Sequence, residues 1–290
     1  MKKLVLITGA SSGFGKLTVP LLLQKGHVVI AGVRGGDARL RGLFPKELAK
    51  YPTQLSAIDL HMDKSSEFGK VTEAIAAKYG AKLDVLINNA GLGLMGVLEE
   101  QTEQQIRYQM EVNFFGAAFL TQQLLPLLRA ARGRILNISS IAGLSGFPFY
   151  GSYCASKFAL EGLMQGLAFD LMPFGVQVGM IEPGGFKTEF VSHRMFGEKS
   201  DNPSSVYFKR NRAFLDTFKS TSVRLDDPVL VAKLIAKLVD REKLSFHNVI
   251  GKDAKTAVFS KALLPDRLYR KLVHKVFELA LSRRNHSSGT

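Results

Sequence analysis

The chain lacks most of what would staple it, carry it through a membrane or hold a metal. Cys154 is the single cysteine in 290 residues. That excludes an intramolecular disulfide framework, fits a reducing, cytoplasmic compartment, and leaves Cys154 as a small packing residue. No apolar run reaches the roughly 18 residues that a membrane-spanning helix requires. The opening Met1-Lys2-Lys3-Leu4-Val5-Leu6-Ile7 begins like a signal peptide, but its apolar run stops after four residues at Thr8-Gly9, so it reads as a first strand. His-x-x-x-His and Cys-x-x-Cys spacings are missing too. No metal site is therefore expected, and His27, His61, His193, His247, His274 and His286 each read as a surface or loop residue.

Acid is in short supply. Against 39 Lys and Arg stand 25 Asp and Glu, a formal net charge of +14. Such a balance suits an anionic cofactor or substrate, an acidic membrane surface or nucleic acid. The basic residues are scattered or gathered at the C-terminus, without the aromatic-interleaved motifs of RNA-binding modules, so nucleic acid is not expected as a partner. A hydrophobic content of 46% with 22% charged residues excludes a disordered chain.

What is present is an alternation. Apolar runs of strand length occupy 4–8, 28–33, 54–59, 83–88, 134–139, 176–181 and, more weakly, 246–250. Helical periodicity fills 15–24, 65–78, 102–129, 153–172 and 228–240. Unpatterned apolar strands separated by helices predict a doubly wound α/β fold, a mostly parallel seven-stranded sheet covered on both faces. Residues 1–250 read as one cofactor-binding and catalytic domain, without repeats or low-complexity linkers. Within it the pattern fails across about 186–226, a long polar stretch that reads as a substrate lid. Residues 251–290 form a basic, amphipathic helical extension with nine Lys and Arg against three Asp and Glu. There Leu268, Tyr269, Leu272, Val273, Val276, Phe277 and Ala280 mark one face, and Arg270, Lys271, His274 and Lys275 the other. That face either docks on the domain or meets a membrane surface or partner.

Two motifs carry chemistry. The first strand runs into Thr8-Gly9-Ala10-Ser11-Ser12-Gly13-Phe14-Gly15 and then a helix. A glycine turn in that position lets the backbone approach a pyrophosphate while the helix N-terminus supplies N–H donors and positive partial charge. Further on, Tyr153 and Lys157 lie one helical turn apart, so an ammonium can sit beside a phenol and draw its pKa from about 10 toward neutrality.

The spacing Gly9-x-x-x-Gly13-x-Gly15 resembles that of the short-chain dehydrogenase/reductase family. Further motifs agree in order: Asn88-Asn89-Ala90-Gly91, Asn113 in Glu111-Val112-Asn113, Ser140 thirteen residues before Tyr153, and Pro183-Gly184 followed by Thr188. The likeness spans about residues 3–250 and is nearest in pattern to the branch of hydroxysteroid and retinol dehydrogenases. It implies a Rossmann-type fold and hydride transfer between an alcohol and a carbonyl compound. Tyr153 is the implied proton donor or acceptor and Lys157 its helper, which also grips the nicotinamide ribose. Ser140 would hold the substrate oxygen, Asn113 a water that links Lys157 to solvent, and Asp59 the adenine. A helix-capping role for Asp59 stays open. The implied cofactor-binding set is Gly9, Ser11, Ser12, Gly13, Phe14, Gly15, Arg34, Asp59, Asn89, Ala90, Gly91, Tyr153, Lys157, Pro183, Gly184 and Thr188, together with a homo-oligomeric state.

Cofactor choice follows from Ala31-Gly32-Val33-Arg34. No carboxylate closes the second strand and a guanidinium follows it, which favours NADP(H) over NAD(H), with a solvated Arg34 as the alternative. Phe147, Phe149, Tyr150, Phe186, Phe190, Met195 and Phe196 border the catalytic segment and suggest a steroid-, retinoid- or lipid-like substrate, unless they are ordinary core. A small polar carbonyl compound, or a non-catalytic NADP-binding sensor, are the other readings.

Overall fold

A computed structural model of the chain describes residues 1–190, 194–219 and 225–282. Its strands are β1 (Leu4–Thr8), β2 (Val28–Val33), β3 (Leu55–Asp59), β4 (Val85–Asn88), β5 (Leu94–Met95), β6 (Arg134–Ile138), β7 (Gln177–Pro183), β8 (Met195–Phe196) and β9 (His247–Ile250). Its α-helices are α1 (Gly13–Gln24), α2 (Gly36–Leu43), α3 (Pro45–Lys50), α4 (Phe68–Tyr79), α5 (Glu103–Met110), α6 (Gly116–Ala131), α7 (Gly151–Leu171), α8 (Phe208–Lys219), α9 (Val229–Asp240), α10 (Lys252–Leu263) and α11 (Asp266–Ser282).

Seven strands form one parallel sheet in the order β3-β2-β1-β4-β6-β7-β9, while β5 and β8 pair separately. The apolar runs are unpatterned because both faces are covered. Val5, Ile7, Val29, Ala31, Val85, Ile87 and Leu136 pack under α1 and α9, whereas Leu6, Ile30, Leu86, Ile135, Val178 and Met180 pack under α4, α6 and α7. Successive residues of each strand thus feed opposite cores. The direction of winding reverses between β1 and β4, which opens a crevice beyond their C-terminal ends. Thr8, Asn88, Ile138 and Pro183 end four neighbouring strands and point the following loops into that crevice.

Three expectations change. The helix expected over 102–129 is α5 and α6 joined by a π-helical turn, Glu111–Phe115. The segment read as a substrate-covering loop over about 186–226 contains β8 and α8; its residues 191–193 and 220–224 lie outside the described residues. The C-terminal extension is two helices, α10 and α11, broken at Leu264-Pro265 because proline cannot continue the first one. Among the described residues no helix is long and apolar enough to cross a membrane.

Candidate active site

The floor of the crevice is tied together by backbone. Buried Thr8 accepts hydrogen bonds through Oγ1 from the N–H groups of Asn89 and Ala90, at 3.0 and 2.9 Å. Asn89 Nδ2 donates in return to the carbonyls of Thr8 and Gly9, at 2.9 and 3.1 Å. Gly9 sits at φ 64°, where a Cβ would come within 2.8 Å of Ala90 Cα; a Cβ on Gly15 would meet the Gly9 carbonyl at 2.5 Å. Only glycine allows both the left-handed turn and this close approach. Ser12 makes no side-chain cap on α1 and the first turn contains no acid, so the positive end of this 12-residue helix has no carboxylate or capping side chain of its own against it. Thr188 lies over Gly13, and Phe186 meets Phe14 edge to face at 5.8 Å, which brings the segment after β7 across the turn.

Beside this floor Arg34 is exposed immediately after β2. Asp59 accepts from the Gly35 N–H at 2.8 Å and lies 3.3 Å from His61 Nε2, which fixes its carboxylate beside the loop after β2. The Pro183-Gly184 turn is closed by a residue the sequence did not flag. Asp253, in the first turn of α10, accepts from Gly185 N–H at 2.7 Å and lies where a Cβ on Gly184 would be, 2.1 Å from its Oδ1.

Above the floor stand the four polar residues singled out in the sequence. Tyr153 and Lys157 are both buried in the first turns of α7. Ser140 Oγ accepts from Ala142 N–H at 3.1 Å, and its hydroxyl neighbours the Tyr153 phenol closely enough to oppose the rise in the phenol's pKa. Lys157 Nζ donates to the Ile138 carbonyl at 2.9 Å and lies 5.9 Å from the centroid of the Tyr153 ring. Asn113 occupies the π-helical turn, where its amide donates to the Leu92 carbonyl (2.9 Å) and Ser156 Oγ (3.0 Å) and accepts from Leu92 N–H (2.8 Å). A π-turn inserted into a helix commonly marks a functional position. Gly91 completes the set, since a Cβ there would be 3.2 Å from Asn113 Oδ1 and 3.6 Å from Lys157 Nζ.

The electrostatics differ from the simple expectation. Burial pushes the Tyr153 phenol well above its ordinary range, opposed by the neighbouring Ser140 hydroxyl and the positive charge of Arg194. Burial likewise draws the Lys157 ammonium down to about 8, opposed by the carboxylate of Glu161 one turn further along α7. The Ser140 contact and Arg194, which sequence reasoning missed, therefore favour the phenolate in the protein alone.

Glu161 belongs to a second buried cluster behind Lys157. Burial pushes its carboxyl up to about 7, opposed mainly by the neighbouring Ser139 hydroxyl, although neither carboxylate oxygen has a hydrogen-bond partner among the described residues. Fully buried Glu182 accepts from Asn248 N–H at 2.8 Å and pairs with His247 Nδ1 at 2.6 Å. Ligand atoms of Glu161, Glu182 and His247 lie within 4.8 Å of one another. Two histidines keep the expected placement, His247 exposed on β9 and His27 in the loop before β2, yet both make specific contacts. His247 belongs to this cluster, and His27 is 1% exposed with Nε2 3.0 Å from Asp240. His193 and His286 lie outside the described residues.

An aromatic wall leads away from Tyr153. Phe190 and Tyr150 lie 5.8 and 6.3 Å from its ring centroid. Phe149 stacks on Phe214 at 4.6 Å and on Phe277 of α11 at 5.5 Å. Phe149 holds φ 65°, an unusual conformation for a bulky residue and one that this stacking must maintain. Tyr269 of α11 is fixed by a 2.8 Å hydrogen bond to Ser145. Buried Cys154 packs in the same cluster. The wall thus draws on the catalytic segment, α8 and the C-terminal helix.

Comparison with known proteins gives the same architecture a lineage. The sequence model described as short chain dehydrogenase matches residues 3–198. The 3-ketodihydrosphingosine reductase of Bacteroides thetaiotaomicron is 34% identical over 272 residues, which cover 92% of this chain and 94% of that protein. The NADPH-dependent 3-dehydrocapnine reductase of Ornithobacterium rhinotracheale is 32% identical, covering 93% of this chain and 95% of its own. A crystal structure of a short-chain dehydrogenase from Streptomyces avermitilis superposes with a TM-score of 0.77 at 32% identity, covering 94% of this chain and 96% of the other.

Proposed function

Because the chain belongs to the short-chain dehydrogenase family, we propose that it is an NADPH-dependent reductase that converts a long-chain ketone to the secondary alcohol. The observation that carries this reading is the placement of Tyr153 and Ser140 at the inner end of an aromatic wall built from Phe149, Tyr150, Phe190, Phe214 and Phe277. A wall of that kind accepts an alkyl chain and excludes water, while the two hydroxyls receive a single oxygen. The two reductases similar to this chain are named for 3-ketodihydrosphingosine and 3-dehydrocapnine, which supports a lipid-like ketone as the substrate.

The cofactor floor fits a dinucleotide. Gly9, Gly13 and Gly15 leave no side chain in the turn, Ser11, Ser12 and Phe14 complete it, and α1 offers its N-terminus to the pyrophosphate. Asn89, Ala90 and Gly91 line the neighbouring loop, Pro183, Gly184 and Thr188 cross above it, and Arg34 is free to meet a 2′-phosphate where an NAD-specific site would place a carboxylate. When bound, NADPH supplies the hydride.

The residues of the chain do the rest. Ser140 and Tyr153 hold the ketone oxygen between them, and Tyr153 gives it a proton as negative charge develops. Lys157, held between the Ile138 carbonyl and the Asn113–Gly91 pocket, replaces the tyrosine proton and grips the ribose. Asn113 fixes the loop after β4 by three hydrogen bonds, which keeps the route from Lys157 to solvent open. We expect purified protein to oxidise NADPH when given 3-ketodihydrosphingosine or a shorter 3-keto analogue, and Tyr153→Phe to lower kcat about a thousandfold with NADPH affinity within twofold of wild type. Wild-type turnover by that variant on a confirmed substrate would remove Tyr153 from the mechanism. Turnover confined to small polar ketones would replace the substrate class.

A further inference from the structure

Helix α11 is apolar around more of its circumference than the domain covers. Tyr269 and Leu281 turn inward and are 6% and 8% exposed, and Phe277 joins the aromatic wall. Leu268, Leu272, Val276 and Leu279, on the adjoining side, remain 50%, 39%, 58% and 46% exposed. At 100° per residue these four fall within one narrow stripe along the helix. Arg267, Lys271 and Lys275 run beside it at i, i+4 and i+8, all exposed. The acids of α11 are engaged with other residues: Asp266 pairs with Arg270, and Glu278 with Arg210. Among the described residues no carboxylate lies within ion-pairing distance of Arg267, Lys271 or Lys275. Phe259 and Leu263 of the preceding α10 are also 65% and 64% exposed.

We propose that this side of α11 docks in the surface of an anionic lipid membrane, with the leucine and valine stripe in the acyl boundary and Arg267, Lys271 and Lys275 among the headgroups. An exposed apolar stripe bordered by an unneutralised basic row is the geometry of a helix lying in an interface. A second copy of the chain fits less well, because a symmetric contact through this face brings two such basic rows together. The arrangement also places the membrane next to the site. The outer side of α11 carries the stripe and its inner side carries Phe277, which stacks on Phe149 along the path to Tyr153. A long-chain ketone can therefore pass from the bilayer to the phenol around a single helix, a step that rests on the function proposed above.

The test is cosedimentation of the full chain at low salt with vesicles of phosphatidylcholine, with and without phosphatidylserine. Wild type is expected to pellet with the anionic vesicles and to dissociate as salt rises. K271Q/K275Q should weaken partitioning by about 25-fold, roughly fivefold for each charge, and L272E/V276E should abolish it. Both variants should retain wild-type NADPH binding, which shows that they fold, and wild-type turnover of a short water-soluble ketone. L272E/V276E should lower kcat/KM only for a long-chain ketone presented in vesicles. Failure of wild type to bind anionic vesicles, or wild-type binding by L272E/V276E, overturns the proposal. Conversion of a dimer to a monomer by L272E/V276E, without vesicle binding by wild type, would assign the stripe to a second copy instead. Vesicle binding without turnover of any ketone would remove the proposed reaction and leave the docking surface standing.

Discussion

The floor and the roof of the crevice are held by different forces. The floor, from the β1 turn to the loop after β4, is fixed by hydrogen bonds between the Thr8 and Asn89 side chains and backbone and by glycines that admit no Cβ. The roof, from Phe186 through α8 to α11, is fixed largely by aromatic contacts and a few buried polar pairs, such as Asn211 Nδ2 to Glu100 at 2.7 Å. Backbone geometry admits few substitutions, whereas an aromatic wall can be re-cut by changing one ring. The floor therefore suits a ligand that never changes, and the roof suits one that differs from relative to relative.

The sharpest way to break this contrast is Gly15→Ala. Its Cβ would meet the Gly9 carbonyl and Asn89 Nδ2 at 2.5 Å, so the turn itself must move. We expect a loss of about 2–3 kcal/mol of stability and a fall in NADPH affinity of about a hundredfold, measured by urea unfolding and fluorescence titration. Tight NADPH binding by this variant would mean that the turn is not the pyrophosphate site.

Phe277→Ala tests the roof and should act more gently. Removing a half-buried ring that stacks on Phe149 and Phe214 should cost roughly 2 kcal/mol of stability. We expect KM for a long-chain ketone to rise about tenfold while NADPH affinity and turnover of a short ketone hold. An equal loss for short and long ketones would show that floor and roof are not separable.

The same division decides what the sequence discloses. All seven strands of the main sheet were legible, because a parallel strand buried on both faces must be an unbroken apolar run. The glycine turn and the Tyr153–Lys157 pair were legible because their chemistry fixes residue types at fixed spacings. Helix α8 was not, since its inward face is made by Asn211 and Phe214, the first of them within the charged run Lys209-Arg210-Asn211-Arg212, whose hydropathy is that of a loop. A buried polar pair such as Asn211–Glu100, or the contact of buried His27 with Asp240, leaves no periodic trace. The terminal helix was half legible: its apolar face is real, but only Tyr269, Phe277 and Leu281 dock, and no periodicity tells which side of a wide apolar arc finds a partner. Lys157 was located correctly, its ammonium 5.9 Å from the Tyr153 ring, whereas the desolvation that raises the phenol and lowers the ammonium leaves no mark in the sequence.

Glu161→Gln probes that last point with the smallest effect. Burial holds Lys157 down to about 8, so between pH 8 and its ordinary 10.5 the unfolded chain binds a proton that the folded chain does not, and stability rises with pH across that window. Glu161 behaves in the opposite sense. Its carboxyl is raised from 4.5 to about 7, so its contribution is present at low pH and is lost as pH rises through 7. The unliganded protein should be least stable between these limbs, near pH 7 to 8. Glutamine at position 161 removes the acid limb, flattening the dependence of Tm on pH between 4.5 and 7. It also removes the negative charge that helps Lys157 keep its proton. The alkaline limb of kcat/KM should then move to lower pH by about half a unit to one unit, with kcat at neutral pH little changed. An unmoved limb would place control of the lysine elsewhere, whereas a collapse of activity at every pH would mean that Glu161 shapes the site rather than its charge.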